Sequence, residues 1–319
     1  MTAMFATLGM FIIDQFEFLA QDGIPAKSQH SAIGGAGTYA AIGARIWLPP
    51  SRVGMIIDRG IDFPAEMQSA LDAFGDIWLY RDHSGKTTRA LNSYIGDLRN
   101  FEYLTPRIRL TPKDLQGTRL ERASMLHFVC SPTRASAIMN EVRENDGWRP
   151  TTIYEPIPYR CVPEELEALV QVLPHISILS PNAEEAFALL SMPLPVSRER
   201  IEEASQRLLD LGSGAAIVRS GALGACVAVP GHPIRWVDAF WTSTDEDKVV
   251  DVTGAGNSFL GGLAAGLLLE SGDIYRATFH ASVSASFVIE QPGLPNLTGD
   301  AEWNGDSPQR RLEQLRTRK

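Results

Sequence analysis

In "VVDVTGAGNSF", Val249 to Phe259, small and polar residues are spaced as an anion site needs them. Gly254, Ala255 and Gly256 strip a turn of bulk between an apolar, strand-like run and an apolar helix opening at about Asn257. Several free N–H groups and the positive end of the helix dipole then face one spot, which suits a phosphate or another oxyanion. The same glycines also serve if all they do is let a helix pack close to a strand.

Three other stretches carry residues of similar promise. "ATLGMFIID" supplies Gly9 and, five residues on, Asp14 at the end of a first strand, where it can meet hydroxyl groups or simply cap the strand. "GGAGTYAAIGARIW" opens a second glycine-rich helix after Gly34 and Gly35. "SPNAEEAF" sets Asn182 and Glu185 in an N-x-x-E spacing, which suits phosphate and magnesium but equally an N-cap followed by a first-turn acid. "VRSGALG" adds Ser220, Gly221 and Gly224 in a turn after a strand.

These residues need a frame. Apolar, β-rich runs occur at Met4–Ile13, Arg52–Ile57, Ser124–Cys130, Thr151–Glu155, Ile176–Ser180 and Gly214–Ser220, with little alternation, as strands buried on both faces require. Between them, Pro132–Asn145, Pro163–Leu173 and Ser197–Gly212 have helix-opening Ser or Pro and apolar stripes at helical spacing. The βαβα order predicts a mostly parallel sheet covered by helices, with ligands at the carboxyl ends of its strands. Tyr80 to Leu104 is polar and alternating, and reads as a small antiparallel ribbon or lid, or a plain surface hairpin.

Bulk properties narrow the function classes. The 319 residues, 44% hydrophobic and 21% charged, can bury a sizeable core. A formal net charge of −9 disfavours nucleic acid and anionic membranes as partners, the basic "RRLEQLRTRK" end reading as a solvated helix. Cys130, Cys161 and Cys226 are scattered without metal-like spacing, which points to a reducing compartment. The apolar N-terminal run has no basic leader and meets Asp14 too early for a signal peptide or a membrane span, so the cytoplasm is the expected location.

Taken together and in this order, Gly9–Asp14, Gly34–Gly35, Asn182–Glu185, Ser220–Gly224 and "DVTGAGN" resemble the PfkB or ribokinase-like family of carbohydrate and nucleoside kinases over nearly the whole chain. "TTRALNSY", "FEYLTP" and "HFVCSP" look most like a fungal branch of that family named for maintenance of the killer virus. The resemblance implies one three-layer αβα domain over residues 1–319, with a mostly parallel central sheet and a small β lid at about 14–33 and 80–104. It implies an ATP-dependent kinase acting on a hydroxyl of a sugar, nucleoside or related metabolite, with magnesium and potassium as ions and a homodimer formed through the lid.

Carried over position by position, the resemblance places the anion hole at Gly254, Ala255 and Gly256. Asp14 holds substrate hydroxyls and Gly34 and Gly35 let substrate approach the backbone; in the lid, Thr87, Thr88, Arg89, Asn92 and Tyr94 are candidates to touch substrate, as is Tyr39 on the glycine-rich helix. Asn182 and Glu185 organise magnesium and phosphates, Ser220, Gly221 and Gly224 line the nucleotide pocket, and Asp251 and Thr253 bind a monovalent cation. Two departures bear on function. The family signature ends in an acid that takes the proton of the attacking hydroxyl; here Asn257 stands in its place, and a neutral amide has no useful basicity. Asp245, Glu246 and Asp247 lie just upstream as substitute acids or as a solvated loop. Ala36 and Tyr39 replace the polar residues that meet sugar hydroxyls in many relatives, leaving an aromatic face or a packed core residue. Arg89 suits an anionic group or a surface ion pair. The chain thus reads as a slow or unusually specific kinase, a non-catalytic nucleotide- or metabolite-binding regulator, or a pocket turned to other chemistry on a natural product.

Overall fold

The computed structural model describes residues 5–19, 30–95, 98–299 and 301–318. Its strands are β1 (Phe5–Thr7), β2 (Ile12–Leu19), β3 (His30–Gly34), β4 (Val53–Arg59), β5 (Trp78–Asp82), β6 (Arg89–Ile95), β7 (Leu98–Tyr103), β8 (Met125–Cys130), β9 (Thr151–Pro156), β10 (Ile178–Leu179), β11 (Ala216–Arg219), β12 (Ala225–Ala228) and β13 (Arg235–Val237). Its helices are α1 (Ala36–Arg45), α2 (Ala65–Asp72), α3 (Pro132–Glu144), α4 (Leu166–Val172), α5 (Ala183–Leu189), α6 (Arg198–Asp210), α7 (Ala255–Leu269), α8 (Ile274–Val288) and α9 (Pro308–Thr317).

Period-two alternation along the strands builds the layers. Phe5, Met55, Ile153, Ile217 and Val227 point to one face and join a core with α1, α7 and α8. Their neighbours Ala6, Ile56, Tyr154, Val218 and Cys226 point to the other face and join a core with α3, α4, α5 and α6. With both faces covered, the runs need no polar alternation, which is why they read as continuous apolar stretches. The sheet order is β13-β12-β11-β10-β9-β8-β1-β4-β5, parallel from β11 to β5, with β12 and β13 antiparallel at one edge. The parallel strands therefore all end on one side, where a site can collect.

A separate sheet, ordered β3-β2-β6-β7, stands beside this one. Met4–Ile13 is accordingly not one strand: β1 closes when Leu8 N–H donates to the His127 carbonyl, and the chain then crosses at Gly9, packed on the Gly37 backbone, into β2. Asp14 thus lies inside β2 rather than at the end of the first strand. Tyr80 to Asp82 pairs in parallel with β4 as the main sheet's edge, so from the polar stretch only β6 and β7 enter the small sheet. Residues 20–29, within the expected 14–33 segment, lie outside the described residues. Among the described residues no helix is long and apolar enough to cross a membrane.

The helix pair α1 and α7 carries the glycine-rich N-termini, and small residues set their spacing. A Cβ at Gly43 would overlap the Ser258 carbonyl, and one at Gly261 would overlap the Ala40 carbonyl. Gly261→Ala is therefore expected to force the helices apart and cost about 1–3 kcal/mol. A urea midpoint unchanged from wild type would show that the helices part freely.

Candidate active site

The helix α7 begins at Ala255, capped by Gly254 in the left-handed region at φ 78°. The "VVDV" run before it is not a strand. Val249, Val250 and Val252 are exposed, and the main chain is held by Val250 N–H and Asp251 N–H donating to the Ile289 carbonyl. An Asx turn follows, in which Thr253 N–H donates to Asp251 Oδ1 at 2.9 Å. Gly254 has no side chain because the ring of Tyr39, buried on α1, lies directly beneath it. Burial, together with the negative charges of Asp251 and Asp14, pushes the Tyr39 hydroxyl pKa well up, so it stays neutral at physiological pH.

Gly256 faces a side chain that the sequence reading passed over. A Cβ there would overlap Arg219 Nη1, so the guanidinium at the end of β11 is seated against the first turn of α7. Arg219 Nη2 donates to Glu155 Oε1 at 2.8 Å and to the Ser180 carbonyl at 3.1 Å, and lies 3.5 Å from Glu185 Oε2. Arg219 Nε is buried with no hydrogen-bond partner among the described residues. Two carboxylates thus share one cation. Burial pushes Glu155 up, but Arg219 and His127 outweigh it and hold its carboxyl below the usual value. Burial dominates at Glu185, farther from the guanidinium, and leaves it raised.

Asn257 turns its amide to the same cluster: Nδ2 donates to Glu155 Oε2 at 2.6 Å. Behind Glu155 lies His127, fully buried on β8, with Nδ1 2.9 Å from Thr7 Oγ1 and Nε2 3.8 Å from Glu155 Oε2. The upstream acids are elsewhere. Asp245 accepts from Thr242 N–H at 3.0 Å, Asp247 pairs with Lys248 at 3.2 Å, and none of the three lines the cavity described below.

Asn182 and Glu185 form a reciprocal capping box at the start of α5, Glu185 N–H donating to Asn182 Oδ1 and Asn182 N–H to Glu185 Oε2, each at 2.8 Å. Ser220, Gly221 and Gly224 form the turn after Arg219, closed by Ser220 N–H donating to the Gly224 carbonyl at 2.7 Å. On the small sheet, Asn92 Nδ2 donates to Asp14 Oδ1 at 3.3 Å, and the room left by Gly34 is filled by the Asp14 carboxylate. Gly35, at φ 95°, lets the Met10 carbonyl pass. Thr88 is buried and its carbonyl accepts from Ile13 N–H, while Arg89 pairs with Asp62 at 3.0 Å across the root of β6. Arg89 thus makes an ion pair, with Asp62 pulled below the usual carboxylate range despite some burial.

A cavity of about 1040 Å³ opens at the carboxyl ends of the parallel strands, and Glu155 and Asn257 form part of its wall. Gly9, Met10 and Ala36 line it near the chain crossing, Cys130 at the end of β8, Arg134 on α3, and Phe101 and Tyr103 from β7. Much of this wall is apolar or cationic, and of the expected site residues only Asn257 lines it. Glu155, Arg219 and His127 were legible as charged or polar residues inside runs that otherwise read as buried strand, "TTIYE", "AAIVRS" and "SMLHFVC".

The model of the pfkB family carbohydrate kinases matches residues 110–298. The chain belongs to that family. It is 35% identical to Uncharacterized protein C16C9.01c of Schizosaccharomyces pombe over 97% of this chain and 92% of that protein. It is also 35% identical to Protein MAK32 of Saccharomyces cerevisiae over 94% of this chain and 88% of the relative, in keeping with the fungal branch. Arabidopsis thaliana ribokinase, solved with ribose and ATP, superposes with a TM-score of 0.70 at 18% identity, each chain covered in full, so the two share the ribokinase-like fold.

The shared guanidinium makes a stability prediction. Arg219→Met leaves the buried Glu155 carboxylate with the Asn257 amide and the more distant His127 and is expected to cost about 3–5 kcal/mol in denaturant unfolding. Because the folded-state pKa of Glu155 lies below its unfolded value, the contribution of the pair is fully present above the unfolded value and is lost as pH falls through the folded one. The gap between wild type and variant should therefore narrow on acidification below the ordinary glutamate range; a gap independent of pH would contradict the pairing.

Proposed function

We propose that this protein is a phosphotransferase that moves the terminal phosphate of ATP to a hydroxyl of a sugar, nucleoside or related metabolite. The observation that carries the reading is the anion cradle. The first turn of α7 carries no side chain at Gly254 and Gly256, an arginine with a buried, unpartnered Nε is seated against it, and the next residue, Asn257, lines a large cavity. Phosphoryl transfer asks mainly for positioning and charge stabilisation, which a helix N-terminus and a guanidinium supply together.

The terminal phosphate lies against Gly254 to Gly256 and the nucleotide follows the Ser220–Gly224 turn. Magnesium carried in on the phosphates would keep most of its ligands from phosphate and water, with Glu185 and Asn182 of the capping box as the protein groups offered to it. Bound magnesium neutralises developing phosphate charge. Asp251 and Thr253 are the residues offered to potassium. The acceptor enters the cavity between the main sheet and the small sheet, which acts as a lid, with Phe101, Glu102 and Tyr103 of β7 at one wall; Asp14 and Asn92, on the neighbouring strands β2 and β6, do not line it. At about 1040 Å³ the space lies at the upper end of small-molecule sites, ~300–1,000 Å³, and admits a nucleoside-sized or larger acceptor.

A second reading, a regulator that binds nucleotide without turnover, is favoured by Asn257 and by the guanidinium already seated at Gly256. Titration calorimetry with ATP and magnesium separates the readings in stages. Wild type is expected to bind, and Gly256→Ala, which pushes Arg219 off the helix end, to weaken binding about tenfold or more, roughly 1.4 kcal/mol. Folded wild type that binds no ATP would sink both readings. Binding without phosphorylation across a broad panel of alcohols would leave the regulator.

A further inference from the structure

The residue at the base position, Asn257, is not isolated. Its amide spends a hydrogen on Glu155 Oε2 at 2.6 Å, and that carboxylate faces the cavity in which the acceptor would sit. The other oxygen of Glu155 accepts from Arg219, the side chain seated against Gly256. One acid is therefore joined by single side chains both to the base position and to the anion cradle.

Other acids do not share that placement. Of the carboxylates lining the cavity among the described residues, Glu102 is exposed on β7, whereas Glu155 is buried at the strand ends. Asp245 and Asp247 are engaged in their own loop, and Asp14 is held on the small sheet by Asn92. Glu155 is fixed by two donors, one on each oxygen, with His127 Nε2 3.8 Å from Oε2, and a carboxylate oxygen that accepts one hydrogen bond can accept a second from a hydroxyl.

We infer that Glu155 is the general base of this active site, with Asn257 orienting it and the acceptor hydroxyl between them. This assignment rests on the phosphotransfer reading. In the step, the acceptor O–H proton passes to Glu155 Oε2 while the acceptor oxygen forms a bond to the terminal phosphorus of ATP. The bond from that phosphorus to the bridging oxygen breaks, and ADP leaves with the electron pair. The protonated carboxyl then returns its proton to water in the cavity. Arg219, touching both Glu155 and the first turn of α7, keeps the acid ionised and meets the phosphate charge. Relative to the family signature, the acid has moved from the helix N-terminus to the end of β9, and the amide has taken its place.

The test uses the full chain with magnesium and ATP, D-ribose or adenosine as added acceptor, and water as the background acceptor. Glu155→Gln is expected to lower kcat by about 10²–10⁴-fold with KM for ATP within about twofold of wild type. Adding Asn257→Asp to that variant restores a carboxylate beside the acceptor and is expected to recover at least about tenfold of the loss. A loss that the second change does not recover marks structural damage and overturns the assignment. So does Glu155→Gln turning over like wild type. Asn257→Asp alone accelerating the protein by about 10²-fold or more would show that wild type runs without a base. ATP bound with no turnover of any acceptor, water included, rejects Glu155 as a working base while leaving the donor site standing. No ATP binding rejects the phosphotransfer reading itself, and the assignment with it.

Discussion

A cation at the positive end of a helix dipole is badly placed, and Arg219 is such a cation. Its guanidinium lies against the first turn of α7, where the positive end of the helix dipole favours an anion. What makes the position tolerable is the pair of carboxylates on its other side, Glu155 at 2.8 Å and Glu185 at 3.5 Å. Desolvating such a group of charges costs several kcal/mol per ion, and close pairing offsets that cost without making the cluster a source of stability. Four elements, β9, β11, α5 and α7, are therefore held in register at one point by a constraint that packing alone would not impose. It lies where the parallel strands end, so it also shapes the wall of the cavity.

The remaining structure delivers α7 to that point. Close contact of Gly43 with Ser258 and of Gly261 with Ala40 sets α7 against α1, and Tyr39 then fills the space beneath Gly254. The glycines of the signature thus have a double use. Gly254 admits a ring from below and Gly256 admits a guanidinium from the front, while Ala255 N–H between them donates to the Val252 carbonyl. A structural explanation and a phosphate-binding explanation of the same glycines are not rivals, because the side chain seated at Gly256 is itself a cation that suits an anion.

Much of this was legible in the order of residue patterns. The runs at Ser124–Cys130, Thr151–Glu155 and Gly214–Ser220 became β8, β9 and β11, and Pro132–Asn145 and Ser197–Gly212 became α3 and α6, because apolar continuity and helical stripes report burial directly. Two apolar runs misled for a common reason: apolarity does not say which sheet a residue joins, or whether it joins any. Met4–Ile13 divides between two sheets at Gly9, and Val249–Val252 belongs to none and stays exposed. The cluster at the site was harder to see, since Glu155, Arg219 and His127 lie far apart in the chain and meet only through the pairing of β8, β9, β10 and β11. Each was visible as a polar residue in a strand-like run, but only the sheet order shows that they converge.

That convergence changes the meaning of Asn257. Read along the chain, an amide where the signature has an acid is a lost base. Read in the fold, an aspartate at that position would place a second carboxylate within hydrogen-bond reach of Glu155, and two carboxylates at that separation cannot both stay ionised. The amide instead donates to Glu155 and, together with Arg219, leaves it charged at the cavity wall. Relocating an acid from a helix end to a strand end requires an uncharged donor at the old position and a cation behind the new one. Both are present, so the departure from the family signature and the buried charge cluster are consequences of one arrangement.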